Sequence, residues 1–331
     1  MSSEAYDDDV VFRLADNGPV LAGVRLLPAL SVDAPVEFAH AQDEWTLRLK
    51  RPPIWRMEYR FQLRHQDGRV EEICDPDNPL RAPGAFGDKS VVEFPDYQRP
   101  AWLEQEPAGG TYIDVTPQVR VWSPGPPEEP LPLLIAHDGP EYDRLGNLTW
   151  YSGTHVRHRV ALLQPGNRDE EYSGNPVYAY TFARTIVPAI RARVSVSGPL
   201  VGMGASLGGL AMLHVQRRFP ALFGGLFLQS ASFLDRWIDA HEQRFSRFGR
   251  VVRFVEYTMR SRSRPIPVTM TCGLAEENLG NNRQMARVLR EQEYPVNLVE
   301  NPDAHNYVGW RDAWEPALTD LLRDVWRADA T

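Results

Sequence analysis

The first third of the chain alternates apolar and polar residues over short runs. Between residues 36 and 94 the clearest runs are EWTLRLK at 44–50, WRMEYRFQLR at 55–64 and SVVEF at 90–94. Turn-forming residues at 66–68 and 75–79 separate them. Successive side chains of a strand point to opposite faces, so Trp45, Leu47 and Leu49 belong to one buried face. The pattern predicts a small antiparallel β-sandwich.

The pattern changes beyond a stretch rich in proline and glycine, residues 97–110, where we place a domain boundary. Longer apolar runs then alternate with segments of helical periodicity. Alternation of this kind predicts a mostly parallel sheet with helices on both faces. We therefore divide the chain into an N-terminal sandwich of residues 1–105 and a second domain of residues 106–331.

The most informative motif of the second domain is GASLG at 204–208, which follows an apolar run and precedes a helical pattern ending near Arg218. Strand, sharp turn and helix in this order favour a nucleophile elbow, with Ser206 exposed on the turn. Gly204 and Gly208 leave room for strand and helix to approach. The N–H group of Leu207, at the start of the helix, is a candidate oxyanion donor.

A serine nucleophile needs a general base, and in this arrangement the histidine comes last in the chain. The sequence has eight histidines, of which His305 alone lies after the last predicted strand, residues 296–300. It sits in the loop before a helix predicted near Trp310. We expect His305 to take the proton of Ser206.

The acid that orients the histidine should follow the preceding predicted strand, residues 267–271. Glu276 and Glu277 both lie there, and neighbouring loop residues point in different directions. We favour Glu276, with Glu277 as the alternative. Asp303 is a weaker candidate because it is close to the histidine in sequence.

Composition narrows the classes of function. The chain has 331 residues, 43% of them hydrophobic, and a formal net charge of −8, which disfavours a nucleic-acid partner. No apolar run reaches the roughly 20 residues needed to span a bilayer, and the start MSSEAYDDD does not resemble a signal peptide. We expect a cytoplasmic protein without a membrane partner. The oligomeric state is left open.

Metal and redox chemistry are not expected. Cys74 and Cys272 are too far apart in sequence to suggest a disulfide framework. His155 and His158 lack a third ligand at suitable spacing, as does the pair His137-Asp138. Serine–histidine chemistry requires no cofactor, so we predict none.

Six segments of the second domain, in order, resemble motifs of the enterochelin esterase family. Its members are cytoplasmic ferric-siderophore hydrolases of the wider esterase D group. They are HDGPEYD at 137–143, NRDEEY at 167–172, GMGASLGGLAML at 202–213, LQSASF at 228–233, CGLAEENLGNNRQMARVL at 272–289 and DAHNYVGWRDAW at 303–314. The resemblance implies an α/β-hydrolase fold preceded by an early-set, immunoglobulin-like sandwich. It also assigns the acid to Glu276, three residues beyond Gly273.

The resemblance further implies an oxyanion hole and a substrate-recognition loop. Relatives use the N–H group of the residue after Asp-Gly as second oxyanion donor, but this chain has Pro140, which lacks one. Either Gly139 or Glu141 replaces it, or the hole is incomplete.

The candidate substrate-binding residues are Arg168, Tyr172 and Asp138. A guanidinium can bind a carboxylate, catecholate or carbonyl group. Alternatively, Arg168 forms a salt bridge with Asp169 or Glu170, and Asp138 has a structural role in the oxyanion loop.

Three functions follow from these observations. The first is a serine esterase for a siderophore or siderophore-like ester, a small-molecule substrate. The second is an esterase for feruloyl, acetyl or other acyl esters of sugars. The third is a non-catalytic carbohydrate-binding or scaffold protein, which the proline in the oxyanion loop would favour and the intact serine, histidine and glutamate disfavour.

Overall fold

A computed structural model describes residues 3–5, 8–16, 18, 20–32, 34–107 and 109–327. The chain forms two compact units. The first comprises residues 1–99 together with 273–276 and 302–309, and the second comprises 100–272, 277–301 and 310–331. Two short segments from the second half of the sequence therefore belong to the first unit. The division of the chain into domains of residues 1–105 and 106–331 stays a prediction.

The first unit contains two antiparallel sheets. Its strands are β1 (Ser3–Ala5), β2 (Asp9–Ala15), β3 (Leu21–Pro28), β4 (Ala39–Ala41), β5 (Glu44–Lys50), β6 (Arg56–His65), β7 (Val70–Ile73), β8 (Arg81–Ala82) and β9 (Lys89–Glu93). One sheet has the order β1-β2-β5-β4 and the other β3-β6-β9-β8, with β7 also paired to β6. Strands β1, β2 and β3 lie before residue 36, outside the segment in which the sequence pattern predicts strands.

The two sheets enclose a common apolar core, which confirms the predicted sandwich. Phe12 of one sheet meets Tyr59 of the other edge-to-face, with 4.8 Å between ring centroids. On β5 the alternation is as predicted, because Trp45, Leu47 and Leu49 are all buried. Strand β6 departs from it, since its first four residues, Arg56 to Tyr59, are all buried.

The second unit is built on an eight-stranded sheet. Its strands are β10 (Thr111–Thr116), β11 (Val119–Ser123), β12 (Leu133–His137), β13 (Arg159–Leu163), β14 (Leu200–Ala205), β15 (Phe223–Gln229), β16 (Val268–Gly273) and β17 (Val296–Asn301). The order is β10-β11-β13-β12-β14-β15-β16-β17. Pairings from β13 through β12, β14 and β15 to β16 are parallel, while β10 and β11 are antiparallel.

Helices connect these strands. The α-helices are α1 (Gly139–Gly146), α2 (Leu148–Thr154), α3 (Arg168–Tyr172), α4 (Pro176–Thr181), α5 (Val187–Arg191), α6 (Leu207–Arg218), α7 (Phe248–Arg260), α8 (Leu279–Glu291), α9 (Tyr307–Asp312) and α10 (Ala317–Arg327). Ala101–Glu104 and Ala240–Arg244 form 3₁₀ turns, and Phe182–Ile186 forms a π-helical turn.

Both faces of the sheet are covered, as strand β15 illustrates. Leu226 and Leu228 join a core cluster with residues of α6, α7 and α8. Gly225, on the opposite face, lies against Leu321 and Val325 of α10. This topology is the predicted α/β-hydrolase fold. Among the described residues, no helix is long and apolar enough to cross a membrane.

Candidate active site

Ser206 occupies the sharp turn between strand β14 and helix α6. Its backbone has φ 54° and ψ −125°, a conformation that residues other than glycine seldom adopt. Its N–H donates to the Gln229 carbonyl at 2.9 Å, and its own carbonyl accepts from Leu210 N–H at 3.2 Å. Strand β15 and the first turn of α6 thus hold the serine in its strained position.

The glycine of the preceding strand is required for this turn. A β-carbon on Gly204 would lie 2.5 Å from the backbone of Gly208, closer than any side chain tolerates. At Gly208 the nearest atom to such a carbon would be the β-carbon of His137 at 3.2 Å, a tight contact. The two glycines of the motif therefore allow strand and helix to approach, as the sequence predicted.

A second serine contacts the first. Ser232 Oγ lies 3.1 Å from Ser206 Oγ, and its N–H donates to the Ser206 carbonyl at 3.0 Å. Sequence reasoning did not give Ser232 a role, although it lies in the segment LQSASF that carried the family resemblance.

Two helices begin beside this turn. Helix α6 begins at Leu207, directly after the serine, so the N–H of Leu207 is one of the first-turn donors without a partner inside the helix. Helix α1 begins at Gly139 and carries Pro140 in its first turn. Tyr142 N–H donates to the Asp138 carbonyl at 3.0 Å, which leaves Gly139 and Glu141 as first-turn donors of that helix.

Arg168 binds the residue before helix α1. Its Nε lies 3.0 Å from both carboxylate oxygens of Asp138, and its Nη2 lies 2.8 Å from Oδ2. Asp138 is 4% exposed and has φ 50°. Of the two alternative partners expected for Arg168, Glu170 pairs with Arg247 and Arg250. The Arg168–Asp138 pair joins the first turn of helix α3 to the residue before helix α1. A part in substrate binding for Arg168 and Asp138 stays a prediction.

Tyr172 does not fit its predicted place in substrate binding. Its side chain is 0% exposed and packs against His137, with 4.3 Å between ring centroids. A ligand cannot contact a side chain without accessible surface. Burial also raises the pKa of Tyr172 well above its ordinary value. Tyr172 therefore packs against His137 at the end of strand β12. The sequence pattern NRDEEY gave no sign of this burial.

His137 joins three elements in the same region. Its Nδ1 donates to the Gly208 carbonyl at 2.9 Å, and its Nε2 accepts from the Tyr178 hydroxyl at 2.7 Å. The ring is fully buried, and burial lowers the pKa of His137 to about 4, so it is neutral at pH 7. We call His137, Gly208 and Tyr178 the histidine clamp, since it ties the end of β12 to α4 and α6.

Glu276 and His305 form a hydrogen-bonded pair in the first unit, which we call the acid–histidine pair. His305 Nδ1 donates to Glu276 Oε2 at 2.8 Å. The other oxygen, Oε1, accepts from Gly273 N–H at 2.8 Å. The glutamate side chain is 1% exposed and the histidine side chain 39% exposed. A buried carboxylate thus fixes the orientation of the imidazole ring through Nδ1.

The alternative acids have other partners. Glu277 Oε2 lies 2.8 Å from Nε2 of His241, in a pair whose side chains are 57% and 50% exposed. Asp303 accepts from Ala304 N–H and from the Asn306 amide, and it does not appear as a partner of the imidazole among the described contacts. The structure therefore pairs His305 with Glu276, the residue favoured from the sequence.

The histidines considered as metal ligands have separate roles. His155 Nε2 lies 3.0 Å from Glu315, and its ring stacks on Tyr151 with centroids 4.4 Å apart. His158 is buried, donates through Nδ1 to the Val156 carbonyl at 2.6 Å, and has its pKa lowered to about 4 by burial.

A model of the family described as putative esterase matches residues 111–325. No curated protein sequence matches the chain significantly.

Solved structures similar to this chain include those of the following three proteins. Enterobactin esterase from Shigella flexneri, solved in the presence of enterobactin, gives a TM-score of 0.73 over 98% of this chain and 95% of that chain, at 18% identity. Ferric enterobactin esterase from Salmonella typhimurium gives 0.73 over 97% and 96%, at 18% identity. Fluorophosphonate-binding serine hydrolase F from Staphylococcus aureus gives 0.52 over 64% and 98%, at 16% identity. At these identities the likeness shows the fold.

Proposed function

The chain belongs to the putative esterase family and is a carboxylic ester hydrolase, and we propose that it acts through a triad of Ser206, His305 and Glu276. The family match confirms the esterase resemblance that the motifs indicated. The proposed triad is a more specific claim than family membership, because it requires Nε2 of His305 to reach the Ser206 hydroxyl.

One observation carries the proposal: the strained backbone of Ser206 at the start of helix α6, with φ 54°. Such strain costs about 1–3 kcal/mol and is retained in proteins mostly where function requires it. The acid–histidine pair supplies the second requirement, a histidine oriented through Nδ1 by a buried carboxylate.

In the proposed reaction, Ser206 Oγ attacks the acyl carbonyl while His305 accepts the serine proton. The negative oxygen of the tetrahedral intermediate binds the Leu207 N–H and the N–H of Gly139 or Glu141. His305 then donates its proton to the departing alcohol, which leaves an acyl-enzyme. Water attacks the acyl group with His305 again as base, and the acid leaves as Ser206 regains its proton. No cofactor takes part.

Labelling with a fluorophosphonate probe tests the triad. We expect the wild-type protein to form a covalent adduct at Ser206, detected by intact mass and peptide mapping. Ser206→Ala should abolish the adduct, and His305→Ala should slow it by about 10²–10⁴-fold, since general base catalysis contributes that much. Ser232→Ala is the matched control, because it removes the neighbouring hydroxyl and should keep the adduct. No adduct in the wild-type protein, or one that survives in Ser206→Ala, would refute the nucleophile.

For the substrate, we propose a siderophore or siderophore-like ester. The support is the extent of the match: two solved structures that match 97–98% of this chain, and thus the sandwich as well, are named enterobactin esterases. Serine hydrolase F matches only 64%. A cytoplasmic location is consistent with this substrate and stays a prediction.

A hydrolysis screen tests the substrate class. Nitrophenyl acyl esters, hydroxycinnamoyl sugars and a tri-catecholate siderophore, with and without iron, should be compared by kcat/KM. We expect the siderophore to be preferred by at least about 10²-fold, equivalent to about 2.7 kcal/mol of transition-state binding. Preference for a hydroxycinnamoyl sugar would overturn the substrate proposal and leave the triad intact.

A further inference from the structure

Strand β6 begins with a buried arginine. Arg56 is 3% exposed, and its guanidinium lies near three carboxylates. Asp303 Oδ2 is 3.7 Å from Nη1, Glu58 Oε1 is 3.9 Å from Nη1, and Glu93 Oε1 is 3.9 Å from Nε. The ring of Tyr97 lies 5.4 Å from the guanidinium carbon. A charged group is buried at this depth only where opposite charges compensate it.

Asp303 organises the loop that carries His305. Its Oδ1 accepts from Ala304 N–H at 2.7 Å and from the Asn306 amide at 2.9 Å. Asn306 Oδ1 in turn accepts from Gly309 N–H at 2.7 Å, inside helix α9. One carboxylate thus fixes the residues on either side of the histidine.

The same loop contacts two further segments of the first unit. Ala275 N–H, one residue before the acid of the pair, donates to the Asp303 carbonyl at 3.3 Å. Trp55 N–H, one residue before Arg56, donates to the Pro302 carbonyl at 2.8 Å. The residue directly before β6 is therefore hydrogen-bonded to the loop that carries His305, and that loop is hydrogen-bonded to the segment that carries Glu276.

The charge balance of this cluster depends on the arginine. Burial raises the pKa of Asp303 to about 6, while Arg56 lowers it and the nearby Glu58 raises it. Lys89 Nζ lies 3.3 Å from Glu58 Oε2, and the lysine side chain is 32% exposed. Without the guanidinium, the Asp303 carboxylate would be buried beside Glu58 without its compensating charge, a state that proteins avoid by protonation or local rearrangement.

We propose that Arg56 is a positioning residue for His305, acting through its buried ion pair with Asp303. The inference rests on the proposed function, in which His305 is the general base. It assigns to the sandwich a part in catalysis: strand β6 supplies the cation that keeps the Asp303 carboxylate ionised and the histidine loop in its hydrogen-bonded form. A purely structural arginine would affect stability without changing the histidine.

Four variants and two readouts test the proposal. The variants are Arg56→Gln, Arg56→Lys, Asp303→Asn and the double variant Arg56→Gln/Asp303→Asn. The first readout is kcat and KM for nitrophenyl acetate. The second is the NMR signal of the Nδ1 proton of His305, which reports its hydrogen bond to Glu276 without requiring activity.

For Arg56→Gln we expect kcat to fall by about 10–100-fold with KM nearly unchanged, since small displacements of a catalytic group can cost 10²-fold. The His305 Nδ1 proton should move upfield or broaden as its hydrogen bond weakens. Arg56→Lys should restore part of kcat. The double variant should be no slower than the slower single variant, because both changes remove one interaction.

Arg60→Gln is the matched control on the same strand. Arg60 donates to the carbonyls of Phe86 and Asp88 and lies 3.8 Å from Glu72, outside the histidine loop. It should leave the Nδ1 signal and kcat unchanged.

An unchanged His305 signal and kcat in Arg56→Gln, or fully additive effects in the double variant, would overturn the proposal. If Arg56→Gln does not fold, Arg56→Lys and Asp303→Asn decide by the same two readouts. Failure of the triad is distinguishable, because the wild-type protein would then lack Ser206-dependent turnover while its Nδ1 signal still responded to Arg56→Gln.

Discussion

Glu276 and Glu277 are adjacent residues with identical side chains in different environments. Glu276 is buried and accepts hydrogen bonds from Gly273 and His305. Glu277 is exposed and pairs with His241. The environment, and not the residue type, makes Glu276 the one that orients the imidazole of His305.

The two glutamates give a matched pair of substitutions. Glu276→Gln should reduce kcat for a nitrophenyl ester by roughly 10²–10⁴-fold, because the neutral amide can present a donor to Nδ1 and favour the wrong tautomer. Glu277→Gln should retain turnover within about 3-fold, since exposed ion pairs contribute little. Steady-state kinetics decide between them. Equal losses in the two variants would contradict the assignment of the acid.

For single residues, the sequence was informative where the order of strands, turns and helices along the chain determines a residue's position. Ser206 lies on a strand–turn–helix motif, and Glu276 and His305 follow successive strands, so their positions could be inferred. Tyr172 could not be judged in the same way, because burial is decided by packing against residues far away in the chain. The partner of Arg168 is likewise 30 residues distant, at Asp138.

Among the elements, the histidine clamp connects the two helix starts considered for the oxyanion hole. His137 directly precedes the loop leading into α1, and Gly208 lies in the first turn of α6. The imidazole ring of His137 is held by two hydrogen bonds, one to the Gly208 carbonyl and one from the Tyr178 hydroxyl, and these restrain the starts of both helices. Local sequence gave no signal for it, because the bonded residues are 71 and 41 positions apart.

His137→Phe tests the clamp. The change leaves the Gly208 carbonyl and the Tyr178 hydroxyl without the imidazole, which should lower the free energy of unfolding by about 1–3 kcal/mol for each unsatisfied group. We also expect kcat to fall by about 10–10²-fold. Complete loss of one oxyanion donor costs about 10²–10³-fold, and His137→Phe would displace such a donor without removing it.

Tyr178→Phe is its control. It removes the hydroxyl but keeps the bond from His137 to Gly208, so kcat should be close to that of the wild-type protein. Urea unfolding and steady-state kinetics separate the two effects. A His137→Phe variant with wild-type kcat would show that the clamp serves stability alone.

The predicted strands β5 and β6 are both present in the structure, but the predicted alternation of buried and exposed residues is regular only in the first of these two. Strand β5 alternates regularly and was predicted with its bounds, Glu44–Lys50. In β6 the alternation is interrupted, because Arg56 and Glu58 are buried along with Met57 and Tyr59. A pattern of polar and apolar letters cannot reveal polar residues that are buried by compensating charges.

Over the whole molecule, three histidines are buried in neutral form among the described residues. Burial lowers the pKa of His137, His158 and His214 to about 4, below the ordinary value of 6.5. Because the folded-state pKa is depressed, the unfolded chain binds more protons as the pH falls below about 6.5. Asp303 opposes this trend, since its raised pKa lets the folded state take up a proton near pH 6.

We therefore expect the free energy of unfolding to fall between pH 7 and pH 5, because three histidines outweigh one aspartate. Each histidine should contribute a loss of about 1–2 kcal/mol over this interval, given about 1.4 kcal/mol per pKa unit. Urea unfolding at both pH values measures it. His214→Gln should show a smaller difference between the two pH values than the wild-type protein. An identical difference would contradict the neutral form of that histidine.

The sequence could not predict which short segments belong to which of the two compact units. Residues 273–276 and 302–309 carry the acid–histidine pair yet belong to the first unit, whereas Ser206 belongs to the second. Sequence patterns assign neighbouring residues to one domain, and only tertiary contacts reassign short loops.

The distance between Ser206 Oγ and His305 Nε2, measured in crystal structures of the free and the inhibitor-bound protein, tests the central claim most directly. The account predicts that the two atoms lie within hydrogen-bonding reach, about 2.6–3.2 Å, or that a bound ester or inhibitor brings them there. The two atoms remaining well apart in both the free and the inhibitor-bound crystals would contradict it.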